Sequence, residues 1–491
     1  MSRETHSQTS LAANFVYNTI YQILNIILPL VTVPYVSRTL GTESLGRYSY
    51  TFTVASYFGI FAYLGFENYG NRLIAQNRND QRRLDRMFSG AFYFQMIAGF
   101  LAAGCYVIYL IFFCREDRFV AMIQILYIVG QVCNISWFYF GLEKFRKTAV
   151  YSMFIRLLSF IAILIYVKNS TDLAVYSFIC AISTLCTSLI MWPELYKYVS
   201  FVKVPFRDIL YHARGCLLLF FPVLVISIYR SMDKLMLGKI STMTEVALYT
   251  NADKIVEIPY GIITALGVVM LPRMTNLVAS GKVKMSRKYI EKSMRFMMFL
   301  ACGMAFGMMG VGKTFAPIFF GNEFASCGKL IMIIAPMVII RACANVVRTQ
   351  YLLPNRRDID YIVSLLIGVV INLAVNAALI PGWQAEGAAV GTLLAESFVA
   401  FYQIFICRKE ISVARYTFRN WFFVLTGFVM FMEVYTIGEI CLTSLITLMI
   451  QIITGGFFYL AMAGGYLWIE EQAFIINILR KERKRGQKRN F

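Results

Sequence analysis

Charged residues are scarce in this sequence. Asp, Glu, Lys and Arg make up 15% of its 491 residues, whereas 58% are hydrophobic and the mean hydropathy is +0.62. A soluble globular domain carries about 25% charged residues. The composition therefore excludes an ordinary soluble enzyme or binding domain and predicts a chain embedded in a lipid bilayer.

Paired cysteines and histidines inside the predicted membrane spans are also missing. The 11 Cys occur singly, without a C-x-x-C spacing, and the two His, His6 and His212, lie outside the predicted membrane spans. Isolated Cys in apolar segments behave as small hydrophobic side chains. The sequence therefore predicts no catalytic residues and no metal site.

Hydrophobic runs recur along the whole chain and are separated by short polar stretches. A membrane-crossing helix needs about 20 apolar residues. Spans of that kind are predicted at residues 11–37, 46–66, 88–113, 119–140, 148–167, 173–192, 214–236, 246–271, 295–316, 328–348, 360–380, 387–406, 420–438 and 442–468. We therefore predict an all-α integral membrane protein of about 14 transmembrane helices.

Basic residues are unevenly divided between the two sides of these spans. Lys and Arg number 34 in the terminal segments and alternate loops, against 8 in the other loops. Because cytoplasmic loops carry the excess of Lys and Arg, both termini are predicted to be cytoplasmic. The basic tail at 480–489 is predicted to lie against anionic lipid headgroups, so nucleic acid is the weaker interpretation of the net charge of +20.

One motif points to a different function. Residues 307–314 read GMMGVGKT and match the phosphate-binding pattern G-x-x-x-x-G-K-[ST]. A working phosphate loop joins a strand to a helix in a soluble α/β domain, whereas this segment ends an apolar span near the outer face. We therefore predict no ATP binding. The glycines are expected to allow close helix packing, and Lys313 is expected to extend to the interface.

Ionisable residues inside the predicted spans are the candidate functional residues. Each costs about 2.5–3.5 kcal/mol at the bilayer centre. The candidate cations are Arg156, Arg230, Lys254 and Arg341, and the candidate acids are Asp233, Glu257 and Glu396. Because lipid does not solvate them, we expect them to face a shared water-accessible interior, where the cations meet an anionic substrate.

Local pairing is the alternative explanation for some of these residues. Arg230 and Asp233 are three positions apart, as are Lys254 and Glu257, and this spacing brings side chains together on a helix. The first pair, with the adjacent Lys234, would then be an interfacial anchor, and the second would neutralise itself. The other two cations have no partner at such a spacing.

The first span carries uncharged polar residues on one face. Asn14, Asn18, Gln22 and Asn25 recur at spacings of 4, 4 and 3 residues. Such a face lines a cavity or forms hydrogen bonds between helices. Asn18, Gln22 and Asn25 are retained as candidate cavity residues.

The chain also repeats itself weakly. PYVSRTLG followed by TESLGRYSYT after the first span resembles IYRSMDKLMLG followed by ISTMTEVALYTNA after the seventh. Pro29 and Pro34 interrupt the first span as Pro222 interrupts the seventh, a pattern typical of alternating-access transporters. The predicted organisation is two six-helix lobes at 1–200 and 201–410, two further helices at 411–470, and a basic tail at 471–491.

Several sequence blocks along the chain are distinctive. They are PYVSRTLGTESLGRYSYTFTVASYFGIFAYLGFENYGNRLIAQNR (34–78), WFYFGLEKF (137–145), YRSMDKLMLG (229–238), YTNADKI (249–255), LLPNRRD (352–358) and GAAVGTLLAE (387–396). These blocks resemble the bacterial polysaccharide repeat-unit flippases of the multidrug/oligosaccharidyl-lipid/polysaccharide exporter superfamily. The first and third blocks are the most specific, and the resemblance covers nearly the whole chain. It places Arg38, Asp233, Lys234 and Lys254 at recurring motif positions.

The resemblance implies a multi-pass inner-membrane protein with two lobes around a cationic cavity. Such proteins move undecaprenyl-diphosphate-linked oligosaccharide to the outer leaflet by alternating access, without covalent chemistry. The candidate cavity cations then include Arg38 and Lys234, and Asp233, Glu257 and Glu396 are candidates for coupling to Na⁺ or H⁺. No other cofactor is implied; membrane lipids and the polysaccharide polymerase and assembly proteins are the implied partners.

Three other classes of function compete with this interpretation. A drug exporter or a peptidoglycan-precursor flippase shares the architecture. A membrane-embedded glycan polymerase usually carries a large outer loop, and a membrane acyltransferase usually relies on an intramembrane His. A scaffold that does not transport is the third alternative. The motif blocks favour the repeat-unit flippase.

Overall fold

The computed structural model of the chain describes the backbone of residues 2–469 and the side chains of residues 28–144 and 147–469. Across this part of the chain the regular structure is helical, without a strand. The α-helices are α1 Ser2–Tyr63, α2 Phe66–Asn77, α3 Gln81–Phe112, α4 Arg118–Ile123, α5 Ile125–Val132, α6 Ser136–Gly141, α7 Phe145–Tyr166, α8 Leu173–Leu189, α9 Trp192–Leu195, α10 Phe206–Ile240, α11 Met243–Ala279, α12 Val283–Phe320, α13 Cys327–Ile334, α14 Met337–Val347, α15 Asp358–Cys407, α16 Val413–Arg419, α17 Trp421–Ile440 and α18 Leu445–Tyr459. The predicted all-α membrane fold is confirmed.

Each predicted span lies on helix, but the helices are divided differently. Among the residues that the structure describes, 10 helical segments are long and apolar enough to cross a membrane, or 11 if Asn322–Ile334 and Met337–Leu352, bent by 43°, form one span. α15 holds two predicted spans and bends at Gln384. α1 holds the first two predicted spans. Its described residues are not apolar enough for it to count among these 10 segments.

Prolines do not interrupt the helices where the sequence pattern suggested. Pro29 and Pro34 lie inside α1, and Pro222 lies inside α10. The non-helical residue of α1 is Gly41, with φ 75° and ψ 178°. Proline removes one backbone donor, and neighbouring groups in a membrane bundle can satisfy the freed carbonyl, so the helix continues through it. Glycine adopts positive φ without strain, so Gly41 allows the sharp kink between the two halves of α1.

The described chain divides into two compact units, Met1–Thr250 and Asn251–Phe491. The division falls inside α11 and follows contacts within each unit, so the predicted lobe boundary at residue 200 stays a prediction. The first unit has an aromatic core in which the rings of Phe66, Phe88 and Phe138 surround Trp137. The Trp137 indole N–H donates to Gln95 Oε1 at 2.9 Å, so the buried ring is hydrogen-bonded.

The second unit shows the structural role of the GMMGVGKT segment. The segment lies inside the continuous helix α12, so it does not form a phosphate-binding turn between a strand and a helix. A Cβ at Gly310 would lie 2.7 Å from Val434 Cγ1, and one at Gly312 would lie 2.9 Å from the Gly328 carbonyl oxygen. The glycines therefore permit close helix packing, as expected.

Lys313 has a specific partner in addition to its position near the helix end. Its Nζ donates to Glu439 Oε1 at 2.6 Å and to the Tyr435 hydroxyl at 2.7 Å, both on α17. The side chains of Lys313 and Glu439 are about half exposed, at 51% and 49%. The sequence did not predict this pair with an acid on the neighbouring helix, and the extension of Lys313 to the membrane interface stays a prediction.

Substitution of Gly70 tests the aromatic core. A Cβ at Gly70 would lie 2.4 Å from the Trp137 ring, so Gly70→Val should lower the free energy of unfolding by about 1–3 kcal/mol through overpacking. The matched control is Gly104→Ala in α3, where no atom lies within 4 Å of the added Cβ. Thermal unfolding of the purified protein in detergent measures both, and equal melting temperatures for the two variants would contradict this packing.

Candidate functional site

The second unit contains a buried cluster of three charged side chains. Arg341 on α14 donates from Nη1 to Glu257 Oε1 of α11 at 2.5 Å and from Nε to Glu396 Oε1 of α15 at 2.6 Å. The side chains of Arg341 and Glu396 are 10% and 7% exposed, whereas that of Glu257 is 30% exposed. The cluster is therefore closed on the α15 side and accessible on the α11 side.

The local sequence explains how the guanidinium is positioned. α14 starts after the bend at Pro336, and within it Met337, Val338 and Ala342 are fully buried. Apolar packing on both sides of Arg341 thus holds its side chain in the interior. The Tyr260 ring, one turn beyond Glu257, lies with its centroid 5.0 Å from the guanidinium carbon, a cation–π distance.

The structure gives Arg341 partners that the sequence did not show, while its expected role toward an anionic substrate stays a prediction. The sequence showed no partner for it at helical spacing, yet the structure pairs it with two carboxylates. A buried charge is tolerated in a low-dielectric interior when it is paired and hydrogen-bonded. Two of the guanidinium nitrogens, Nη1 and Nε, already donate to these acids. In this structure the side chain is therefore the counter-ion of two carboxylates and not a ligand of an external anion.

The face of α14 that carries Arg341 continues as a polar stripe. Asn345 donates from Nδ2 to the Ile263 carbonyl at 3.2 Å, and its Oδ1 accepts from Arg348 Nη2 at 2.7 Å. Arg348 also donates to the Tyr361 hydroxyl at 3.3 Å. We did not single out Asn345 and Arg348 from the sequence, although positions 341, 345 and 348 have the spacing of one helix face.

The helix changes its geometry at the end of this stripe. Arg348–Leu352 form a π-helical turn, and such turns are often found at functional sites. Within that turn Gln350 is 0% exposed, and neither polar atom of its amide has a hydrogen-bond partner in the structure. The stripe therefore runs from the paired arginine into a buried π-helical turn that contains an unsatisfied amide.

Asp233 is a buried acid in the first unit. Its side chain is buried, at 2% exposure, and its Oδ2 accepts a hydrogen bond from the Tyr249 hydroxyl at 2.8 Å. Tyr249 is equally buried. α10 and the start of α11 thus enclose this acid, and the interfacial anchor of Arg230, Asp233 and Lys234 stays a prediction.

The other predicted cations are distributed between the units. Arg38, Arg156 and Arg230 are exposed and Lys234 is half-buried in the first unit, and Lys254 is exposed in the second. Each has an interaction partner. The side chains of Asn18, Gln22 and Asn25, and the basic tail, lie outside the described residues. Of the predicted site residues, the structure groups Glu257, Arg341 and Glu396.

Comparisons with known proteins find similar sequences over most of the chain. The profile of a family described as "Polysaccharide biosynthesis protein" matches residues 11–278. The "Putative O-antigen transporter" of Escherichia coli (strain K12) is 22% identical over 415 residues, which are 82% of this chain and 98% of that protein.

Two solved structures share the fold. The inward closed conformation of the lipid II flippase MurJ aligns with a TM-score of 0.75 at 12% identity, covering 91% of this chain and 98% of that one. The inward-facing conformation of a multidrug resistance MATE family transporter of the MOP superfamily aligns with a TM-score of 0.65 at 14% identity, covering 79% and 95%. The expected family and the helical membrane fold are confirmed, and the names of these relatives are those of transporters and a flippase, as expected, and not of enzymes.

Removal of the central arginine tests the energetics of the cluster. Arg341→Met keeps an unbranched side chain but leaves Glu396 buried without its counter-charge, so the free energy of unfolding should fall by about 3–5 kcal/mol. Adding Glu396→Gln should recover a large part of this loss because the uncompensated charge is gone. Thermal unfolding in detergent measures the three proteins.

The control for this experiment is Lys313→Met, which breaks the half-exposed pair with Glu439. A solvent-exposed ion pair of this kind contributes little net stability, so this variant should unfold near the wild-type melting temperature. A melting temperature for Arg341→Met that matches the control would show that the cluster does not hold the second unit together.

Proposed function

Because the chain belongs to the polysaccharide biosynthesis protein family, we propose that it moves undecaprenyl-diphosphate-linked oligosaccharide repeat units across the bacterial cytoplasmic membrane. Transport runs from the cytoplasmic to the outer leaflet by alternating access, and both termini lie in the cytoplasm. The glycan then enters surface polysaccharide synthesis on the outer side of that membrane.

The observation that carries this proposal is the extent of one similarity. The E. coli putative O-antigen transporter is matched over 98% of its length, so the likeness extends well beyond a shared hydrophobic segment. Low identity is expected where membrane helices conserve apolar character more than particular residues.

Charge placement supports a substrate with an anionic linker. A diphosphate that crosses about 30 Å of hydrocarbon needs cations along its route, and Arg and Lys bind phosphate oxygens with charge-assisted hydrogen bonds. Arg38, Arg156, Arg230, Lys234 and Lys254 are the proposed cations. Their charges cannot face lipid at depth without a large penalty, so they face water-accessible surfaces along which the diphosphate passes.

Arg341 takes a different role in this proposal from the one its charge alone suggests. It holds Glu257 and Glu396 in place, and these acids, with Asp233 in the first unit, are the proposed sites for the coupling ion, Na⁺ or H⁺. Glu257 is the more exposed member, so the ion enters the cluster there. Binding of a cation weakens the attraction of that acid for Arg341 and alters the packing of α11 against α14.

A second candidate substrate is lipid II itself. The lipid II flippase MurJ of Bacillus subtilis is 31% identical over 143 residues, which are 29% of this chain. The match is local and covers 26% of that protein, so it supports this alternative less. Competition between lipid II and lipid-linked oligosaccharide for transport in the same vesicles separates the two.

Transport in proteoliposomes tests the proposed cations. Lys254→Ala should reduce the initial rate of lipid-linked oligosaccharide flipping at least tenfold, because a phosphate contact of the kind proposed is worth about 1.5–3 kcal/mol. Lys409→Ala, an exposed lysine beyond the end of α15, is the control and should leave the rate unchanged. Equal rates for the two variants would remove Lys254 from the route.

Imposed ion gradients test the proposed coupling site. In the wild type an imposed gradient of the coupling ion, H⁺ or Na⁺, should accelerate flipping. Glu396→Gln should lose this acceleration, because the neutral amide does not exchange a cation. Glu439→Gln, in the half-exposed pair with Lys313, is the control and should respond as the wild type does. Acceleration of the Glu396→Gln protein to the wild-type level excludes Glu396 from coupling.

A further inference from the structure

The turn inside α15 places three side chains, those of Trp383, Gln384 and Glu386, around an open surface cavity. The helix leaves regular geometry at Gln384, with φ 49° and ψ −128°. The chain returns at Gly387, where a Cβ would lie 2.7 Å from the backbone of Leu379, so glycine is needed for this close approach. The turn between them borders an open surface cavity of about 350 Å³ lined by Gly382, Trp383, Gln384 and Glu386.

The groups around this cavity combine an aromatic face with hydrogen-bonding atoms. Trp383 is 58% exposed, and Gln384 is exposed beside it. Glu386 pairs with Lys329 Nζ at 2.6 Å, which fixes the direction of its carboxylate. A sugar ring offers an apolar face of C–H groups and a rim of hydroxyls. A tryptophan face packs against the first, and amide and carboxylate oxygens accept hydrogen bonds from the second.

The backbone conformation at Gln384 also supports a binding site. A residue other than glycine at positive φ is strained, and such strain persists where the surrounding structure imposes it, often at ligand sites. Glycine would relieve the strain, and Gly382 two positions earlier shows that glycine occurs in this turn. The glutamine therefore keeps an amide at the cavity in a conformation that a smaller residue would adopt more readily.

The location fits a substrate that leaves on the outer side. On the topology that the Lys and Arg asymmetry predicts, the first half of α15 starts in the cytoplasm, so its turn lies at the outer face. Lys329 lies at the start of α13, the outer end of its own predicted span. The cavity is thus on the side where the glycan emerges.

We propose that Trp383, Gln384 and Glu386 form a saccharide-binding subsite at the outer face, which holds the glycan of the lipid-linked substrate as it leaves. Trp383 stacks on a sugar ring, and the Gln384 amide and the Glu386 carboxylate bind its hydroxyls. The identity of the saccharide as the transported one rests on the function proposed above.

Saturation-transfer NMR on the full-length protein in lipid nanodiscs tests the subsite. The probe is the oligosaccharide released by mild acid from the lipid-linked intermediates of the producing cells. With the wild type, the sugar ring C–H signals should receive saturation. Trp383→Leu should reduce this transfer at least fivefold while keeping an apolar side chain, and Gln384→Gly, which relieves the backbone strain, should reduce it about threefold without loss of thermal stability.

The matched control is Trp421→Leu, since Trp421 is 59% exposed at the start of α17. It should leave the saturation transfer unchanged. Equal loss in the Trp383 and Trp421 variants, or none in the Trp383 and Gln384 variants, would show that Trp383 is only an interfacial anchor, and absence of transfer to the wild type would overturn the subsite as well. Flipping by the same wild-type preparation separates this failure from failure of the proposed function: flipping without glycan contact sinks the subsite alone.

Discussion

Lipid does not solvate a charged side chain, and the pairing of Arg341 with Glu257 and Glu396 satisfies that constraint in the second unit. The three residues come from α14, α11 and α15, so one guanidinium ties three helices together in the interior. A buried ion pair of this kind adds little net stability compared with apolar packing, but the loss of one partner is severe. Its value is that it ties the arrangement of three helices to the charge state of two acids.

That dependence connects structure to transport. Glu257 is partly accessible and Glu396 is enclosed, so the two acids are not equivalent, although they share one cation. On the proposed mechanism, an ion that reaches Glu257 competes with Arg341 and loosens α11 from α14. On the same mechanism, the hydrogen bonds of Asn345 and Arg348 and the π-helical turn after them transmit this loosening along α14. No covalent step is involved.

Hydropathy predicted the membrane segments well because apolar length is a property of local sequence. It did not predict where helices join. α15 runs through two predicted spans and bends at Gln384, and α1 carries its break at Gly41. Pro29, Pro34 and Pro222, which looked like breaks, lie inside helices, since neighbouring groups in a bundle compensate for one missing donor. The match of GMMGVGKT to a phosphate loop failed for a related reason: the same letters in an apolar context continue a helix.

The sequence by itself determined which segments are apolar enough to lie in the bilayer, the side on which the basic loops are predicted to lie, and the family to which the chain belongs. It also identified Arg341, Glu257 and Glu396 as ionisable residues that need a reason to be buried. Only the tertiary structure decided that they are one cluster. Arg341 lies 84 residues from Glu257 and 55 from Glu396 along the chain, and helical periodicity relates only residues three or four positions apart. Which distant acid reaches a buried cation is set by the packing of whole helices.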